Sequence, residues 1–132
     1  MISFCIILVF FYAFTSFSPT QTLTNLVRQE PFYAKIEIDI SGEKLNIIGK
    51  FINNSNSTIF IEYKMQTNKI GKSGKSLSTQ SGKYISENNS ELILTKVGLN
   101  IDNSTTYDII LQVFKDEELI SADSLNYIPE NH

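Results

Sequence analysis

Residues 97 to 113 read V-G-L-N-I-D-N-S-T-T-Y-D-I-I-L-Q-V, and they indicate the fold class most clearly. From Tyr107 onward, apolar side chains recur at every second position, which is the pattern of a β-strand with one buried face. The polar residues 101–106 form the connection before this strand. A tyrosine in this place can form a tyrosine corner, in which its hydroxyl group bonds to upstream backbone. An ordinary inward-facing tyrosine fits the sequence equally well, and both interpretations predict a β-sandwich.

Alternating strands recur on both sides of this stretch. Residues 34–40 place isoleucines between charged side chains, and a short turn at residues 41–44 leads into a second alternating strand. Turn signals return about every ten residues, without any long helical period. The sequence therefore predicts an all-β, immunoglobulin-like β-sandwich of about seven antiparallel strands. The predicted strands include residues 34–40, 45–52, 58–67, 91–99, 107–114 and 119–127.

The first residues have the pattern of an export signal. Residues 1–18 are uncharged, strongly apolar and end in small residues, as in a secretory signal peptide. An uncleaved membrane anchor is the alternative, because the run approaches the length of about 17 apolar residues that can span a bilayer. We predict a signal peptide at residues 1–18, a linker at 19–31, the β-sandwich domain at 32–128 and a C-terminal tail at 129–132.

The composition argues against an active site. The single cysteine, Cys5, lies inside the predicted signal peptide, and the single histidine, His132, is the last of 132 residues. A disulfide, a thiol nucleophile and a cysteine metal site are therefore not available to the exported chain. The consecutive acids at residues 116–118 are interpreted as a solvated turn. We expect a protein that is not an enzyme and that uses no metal, cofactor or small-molecule substrate.

A basic segment interrupts this acidic chain. Residues 63–84 contain no Asp or Glu, although the net charge of the whole chain is −3. The segment can be a solvated hairpin whose lysines discourage edge pairing, or a surface that attracts an anionic partner. It does not match a phosphate-binding loop, which requires G-x-x-x-x-G-K-[ST] before a helix. It also lacks the aromatic stacking platforms of nucleic-acid-binding proteins, so we expect no nucleic-acid partner.

Three segments resemble one protein family. They are Y-K-M-Q-T-N-K-I-G-K-S-G-K-S-L-S-T-Q-S-G-K-Y at residues 63–84, L-I-L-T-K-V-G-L-N at residues 92–100 and T-T-Y-D-I-I-L-Q-V at residues 105–113. Together they resemble the CsgH family of curli assembly proteins. The most specific part is a small-polar pattern that ends in glycine and comprises Gly74, Ser78, Gln80 and Gly82.

The resemblance implies a small periplasmic β-sandwich that keeps the curli amyloid subunit from polymerising before export. It implies a chaperone-like inhibitor and not an enzyme. The functionally analogous CsgC carries a Cys-x-Cys pair, whereas this chain has no cysteine after residue 18, so no redox role is implied. A generic secreted immunoglobulin-like module for adhesion or surface assembly is the alternative. We expect a monomer.

The predicted site residues follow from the basic segment and from the resemblance. As a hypothesis, the curli subunit contacts the side chains of Lys69, Lys72, Lys75, Gln80 and Lys83. Structural roles are predicted for Gly74, Gly82 and Tyr107.

Overall fold

The computed structural model describes residues 30–130, in which seven strands form two antiparallel sheets. The strands are β1 (Phe32–Ser41), β2 (Lys44–Asn53), β3 (Ile59–Gly71), β4 (Gly74–Ser86), β5 (Ser90–Asn100), β6 (Thr106–Lys115) and β7 (Glu118–Tyr127). One sheet has the order β1-β2-β5 and the other the order β4-β3-β6-β7. The predicted all-β sandwich is confirmed. The predicted signal peptide and most of the predicted linker lie outside the described residues.

Inward-facing side chains of the two sheets form one core. Burial alternates along β2, where Leu45, Ile47 and Phe51 have no exposed surface. The same alternation runs along β6 from Tyr107 to Val113. Burying a large apolar side chain stabilises a protein by about 1.5–3 kcal/mol, so the alternation fixes which face of each sheet lies inside. Within residues 30–130, all seven strands pair in the two sheets and share this one core.

The basic segment at residues 63–84 forms most of a long β-hairpin. β3 continues to Gly71, whereas the sequence predicted that it ends at Thr67. The predicted strand was too short because the run of large buried side chains ends at Met65. Beyond that residue, backbone pairing with β4 on one side and β6 on the other continues the strand. Gly74 closes the turn with a φ of +120°, which favours glycine. Within residues 30–130, no helix has the length and apolar character needed to cross a membrane.

Gly82 allows an aromatic side chain to lie beneath β4. It is paired with Tyr63 of β3, and a Cβ atom at Gly82 would lie 2.9 Å from Cε1 of Tyr63. The ring of Tyr63 stacks on that of Tyr84, with 5.9 Å between the ring centroids. The hydroxyl group of Tyr84 then donates a hydrogen bond of 2.9 Å to the carbonyl oxygen of Leu94 in β5. A glycine at residue 82 therefore supports a contact that joins the two sheets.

Tyr107 holds the connection between β5 and β6. Its side chain is buried, and its hydroxyl group donates to the carbonyl oxygen of Asn100 over 3.1 Å. The same oxygen accepts the backbone N–H of Asp102 over 3.2 Å. These are bonds from a strand-start tyrosine to upstream backbone, as in a tyrosine corner. They fix the path by which the chain crosses from one sheet to the other.

Candidate functional site

β4 offers an open strand edge. It lies at the end of the four-stranded sheet, and within residues 30–130 no strand pairs with its outer edge. The strand is 13 residues long, contains no proline, and exposes nearly all of its side chains. An edge strand directs alternate backbone N–H and C=O groups away from its sheet. β4 can therefore pair with an extended chain from another molecule.

The opposite side of the sandwich is closed by side chains of β7. The hydroxyl group of Ser121 accepts the backbone N–H of Ala34 over 2.7 Å. The carboxylate of Asp123 accepts the backbone N–H of Ile36 over 2.8 Å. Two amides on the edge of β1 are thereby already bonded, which makes this edge a poorer template for strand addition than β4.

Three lysines of the basic segment gather where the hairpin turns, and we name Lys69, Lys72 and Lys75 the basic tip. Lys72 lies in the turn between β3 and β4. Lys75 is paired with Ile70 and points away from the other sheet. Lys69 is paired with the core residue Tyr107 and is half-buried on the inner side. The tip therefore presents positive charge to both sides of the hairpin.

The other two predicted contact residues lie apart from the basic tip. Lys83 and Lys75 are on the same strand, about 26 Å apart at about 3.3 Å per residue. Lys83 is paired with Glu62 of β3. Gln80 is turned toward β5, where its side-chain oxygen accepts the hydroxyl group of Thr95 over 2.5 Å. The structure thus brings three of the five predicted residues together at the tip. Gln80 makes a bridging contact between the sheets and lines a small inner cavity with Lys69.

The loop at residues 101–105 lies beside the basic tip. The carboxylate of Asp102 accepts the backbone N–H of Ser104 over 3.0 Å and its hydroxyl group over 2.8 Å. These bonds, the backbone bond first, lower the pKa of the Asp102 carboxyl group, and the charge of Lys72 contributes further. Thr105 packs against Gly71, where an added Cβ atom would lie 3.0 Å from its Oγ1 atom. The loop therefore contacts the end of β3 and places a carboxylate near Lys72.

The sequence interpretation missed an apolar and acidic cluster at the other end of the hairpin, which we name the acidic end. Its side chains line a cavity of about 390 Å³ on the side of the four-stranded sheet that faces away from β1, β2 and β5. One signal was present: Phe60 occupies a solvent-facing position of β3. The carboxylates come from β3 and from the distant β6–β7 turn, and only the fold brings them together. The acidic end comprises Phe60, Ile85 and Phe114 with Glu62, Asp116 and Glu117.

Comparison with known proteins shows similarity in structure. No protein-family profile matches the chain, and no curated protein matches it in sequence. The E. coli curli protein CsgC has a similar structure, with a TM-score of 0.60 and 19% sequence identity, covering 70% of this chain and 96% of that chain. The solution structure of R. palustris CsgH gives a TM-score of 0.55 and 20% identity, covering 69% of this chain and 89% of that chain.

A third similar structure belongs to a much larger protein. Bacteroides uniformis beta-glucuronidase 2 gives a TM-score of 0.54 and 10% identity over 74% of this chain, but over only 14% of that enzyme. The likeness to the two curli proteins, by contrast, extends over most of their lengths. The chain therefore has the β-sandwich fold of CsgC and CsgH, and the predicted resemblance to CsgH is confirmed at the level of the fold.

Proposed function

We propose that this protein acts in curli biogenesis as a periplasmic, chaperone-like factor that delays polymerisation of the curli amyloid subunit. The observation that carries the proposal is the likeness in fold to two curli proteins over 96% and 89% of their lengths. Export through the predicted signal peptide belongs to the proposal, and a catalytic step does not.

The open edge of β4 supplies a mechanism for the delay. An amyloid fibre grows because each added strand leaves an unpaired edge for the next one. A folded domain that pairs briefly with such an edge occupies it without extending the fibre. Most side chains of β4 are small and polar, so an incoming strand can approach its backbone with little steric hindrance. The mechanism therefore requires no deep pocket on this protein.

The lysines of the hairpin have two effects in this mechanism. Positive charge at the basic tip raises the rate of encounter with an acidic partner, an effect that salt screens. Lysines on an edge strand also discourage permanent pairing between folded domains. A weak and reversible contact is the expected result, in agreement with a factor that releases its partner for export.

A secreted module for adhesion or surface assembly is the second candidate. It is favoured by the similar structure within beta-glucuronidase 2, where a comparable sandwich makes up a small part of a larger chain. A module of this kind would bind a surface or neighbouring domains without altering amyloid growth. The two candidates therefore differ in one measurable property.

The test follows amyloid-dye fluorescence of a purified curli subunit in the presence of this chain from Pro19 onward, at well below equimolar amounts. The proposal predicts a longer lag before fibre growth. Fibre growth with an unchanged lag would remove the inhibitor function and leave the module as the better candidate.

A further inference from the structure

The outer face of the four-stranded sheet, which points away from β1, β2 and β5, exposes more apolar surface than a solvated sheet requires. Phe60 is 73% exposed, Leu77 is 63% exposed and Ile85 is 56% exposed. The pairing places these side chains on one face together with Ile110 and Leu119. The side chains form two groups: Phe60, Ile85 and Leu119 lie at the acidic end, and Leu77 and Ile110 lie nearer the basic tip. The row between the two groups is polar and consists of Ser81, Lys64 and Gln112. Large apolar side chains that are exposed together on one face mark an interaction surface.

The two ends of this face carry opposite charges. At one end, Glu62, Asp116 and Glu117 line a cavity together with Lys83, and Lys64 lines the adjoining groove with Glu62 and Glu117. The three carboxylates outnumber these two lysines, so this end is acidic. At the other end lies the basic tip, whose Lys75 projects from the outer face. Phe60 and Lys72 are 12 residues apart, so at about 3.3 Å per residue the two ends are about 40 Å apart. Each end is complementary in charge to the other, but they cannot meet within one molecule.

We propose that the outer face binds a second copy of this chain in a two-fold symmetric dimer. In a two-fold interface the same surface is used by both copies, so each contact occurs twice. The two-fold axis lies between the two faces, parallel to the sheet and perpendicular to β3. It passes over Gln66, which is midway in sequence between Phe60 and Lys72, and it places each basic tip over the partner's acidic end. Ile110, paired with Gln66, then lies close to the axis. The arrangement pairs the charged ends and covers Ile110 and the apolar side chains that lie near each end.

The side chains of the two ends suit this contact. Lys75 and Leu77 are two positions apart on β4 and therefore project from the same face, a cation beside an apolar group. The cavity at the acidic end has an apolar floor of Phe60, Ile85 and Phe114, with carboxylates around it. A leucine on this floor beside a lysine at the carboxylates buries apolar surface and keeps the charges paired. The cavity volume of about 390 Å³ leaves room for such side chains.

The size of the face is sufficient for a specific dimer. Four strands about 4.8 Å apart and about 35 Å long present roughly 600 Å² in projection. Because side chains protrude from the sheet, its accessible area is larger than this projection and approaches the roughly 800 Å² per partner of a standard interface. Two sheets can pack in this way, about 10 Å apart, with their strands within about 30° of one another. The inference replaces the sequence-based expectation of a monomer, and it does not depend on the proposed role in curli biogenesis.

Sedimentation velocity of the chain from Pro19 onward, from about 10 μM to about 1 mM, tests the dimer. The expected result is a reversible monomer–dimer equilibrium that stops at two copies and weakens as salt is added. A tip variant, Lys72→Glu with Lys75→Glu, and an acidic-end variant, Glu62→Lys with Glu117→Lys, each bring like charges together in their own dimers. We expect each variant alone to associate at least about tenfold more weakly than the unmodified chain.

Mixing the tip variant with the acidic-end variant tests directly whether the tip pairs with the partner's acidic end. In the mixed dimer the reversed tip meets the reversed acidic end, and the native tip meets the native acidic end, so both contacts are attractive. We expect the 1:1 mixture to recover association, with a 1:1 dimer as its largest species. Phe60→Thr, at a largely exposed position, is expected to weaken the dimer in a folded chain. Lys44→Glu with Lys96→Glu, two exposed positions of the other sheet, is the matched control and should associate as the unmodified chain does.

Several outcomes would overturn the proposal. A chain that stays monomeric over the whole concentration range shows that no second copy occupies the face, even if another protein binds there. Assemblies that grow beyond two copies contradict the two-fold arrangement. A mixture that associates no better than its separate variants contradicts the pairing of tip with acidic end.

Discussion

Replacing Tyr107 by phenylalanine removes one oxygen atom from the interior of the sandwich and tests the connection between the sheets. That oxygen donates to the carbonyl group of Asn100 over 3.1 Å and accepts the N–H of Asp102 over 3.2 Å. At about 0.5–1.5 kcal/mol for each hydrogen bond, the expected loss in the free energy of unfolding is about 1–3 kcal/mol. For a domain of about 100 residues, each kcal/mol lowers the Tm by about 4–8 °C.

Urea unfolding followed by far-ultraviolet circular dichroism measures this loss. Tyr33→Phe is the matched control, because it removes the same hydroxyl group from a side chain that is 37% exposed on β1. The control is expected to change the unfolding free energy by less than about 0.5 kcal/mol. If Tyr107→Phe lowered the unfolding free energy no more than the control does, the hydroxyl group of Tyr107 would not hold the connection between the sheets.

Three further predictions concern the site and its surroundings. Neutralising the basic tip should shorten the lag that the protein imposes on polymerisation of a curli subunit; the substitutions are Lys69→Gln, Lys72→Gln and Lys75→Gln. A control with the same change in net charge should leave that lag unchanged; its substitutions are Lys35→Gln, Lys44→Gln and Lys96→Gln. Equal effects of the two variants would show that only net charge matters. Glu117 has a φ of 65°, which is left-handed backbone. Glu117→Gly should raise the unfolding free energy by about 0.5–1 kcal/mol, because the relief of left-handed strain exceeds the conformational-entropy cost of ordering a glycine. A variant less stable than the unmodified chain would contradict this. The hydrogen bonds of Asp102 lower the pKa of its carboxyl group in the folded state, so its stabilisation is fully present above about pH 3.9 and is lost as the pH falls through the folded-state pKa. Asp102→Asn should flatten the acid limb of stability against pH, and an unchanged acid limb would exclude this contribution.

The sequence predicted the strands that carry large alternating side chains and was less accurate where small polar residues face inward. β2 and β6 were found because residues such as Leu45 and Leu111 are fully buried at alternate positions. The end of β3 was misplaced because Thr67 and Lys69 occupy its inner positions there. β4 has no apolar period, since Ser76 and Ser78 point inward, and pairing with β3 alone makes it a strand.

The candidate site depends on facts that a linear pattern does not contain. Charge counting identified the lysines, but strand pairing decides that Lys69 and Lys75 project to opposite faces and that Lys83 lies beside Glu62. The acidic end required the fold, because Glu62 and Asp116 are distant in sequence. Phe60 was the available signal, as a large aromatic residue on the solvent-facing side of an alternating strand.

The most direct test of the proposed function measures the lag of curli-subunit polymerisation by amyloid-dye fluorescence, with the chain from Pro19 onward present well below equimolar amounts. The proposal predicts that the lag lengthens with each addition of the protein and that added salt reduces the effect. A lag that stays constant at every ratio, with the domain shown to be folded, would contradict the proposed function while leaving the fold and the dimer to be judged by their own measurements.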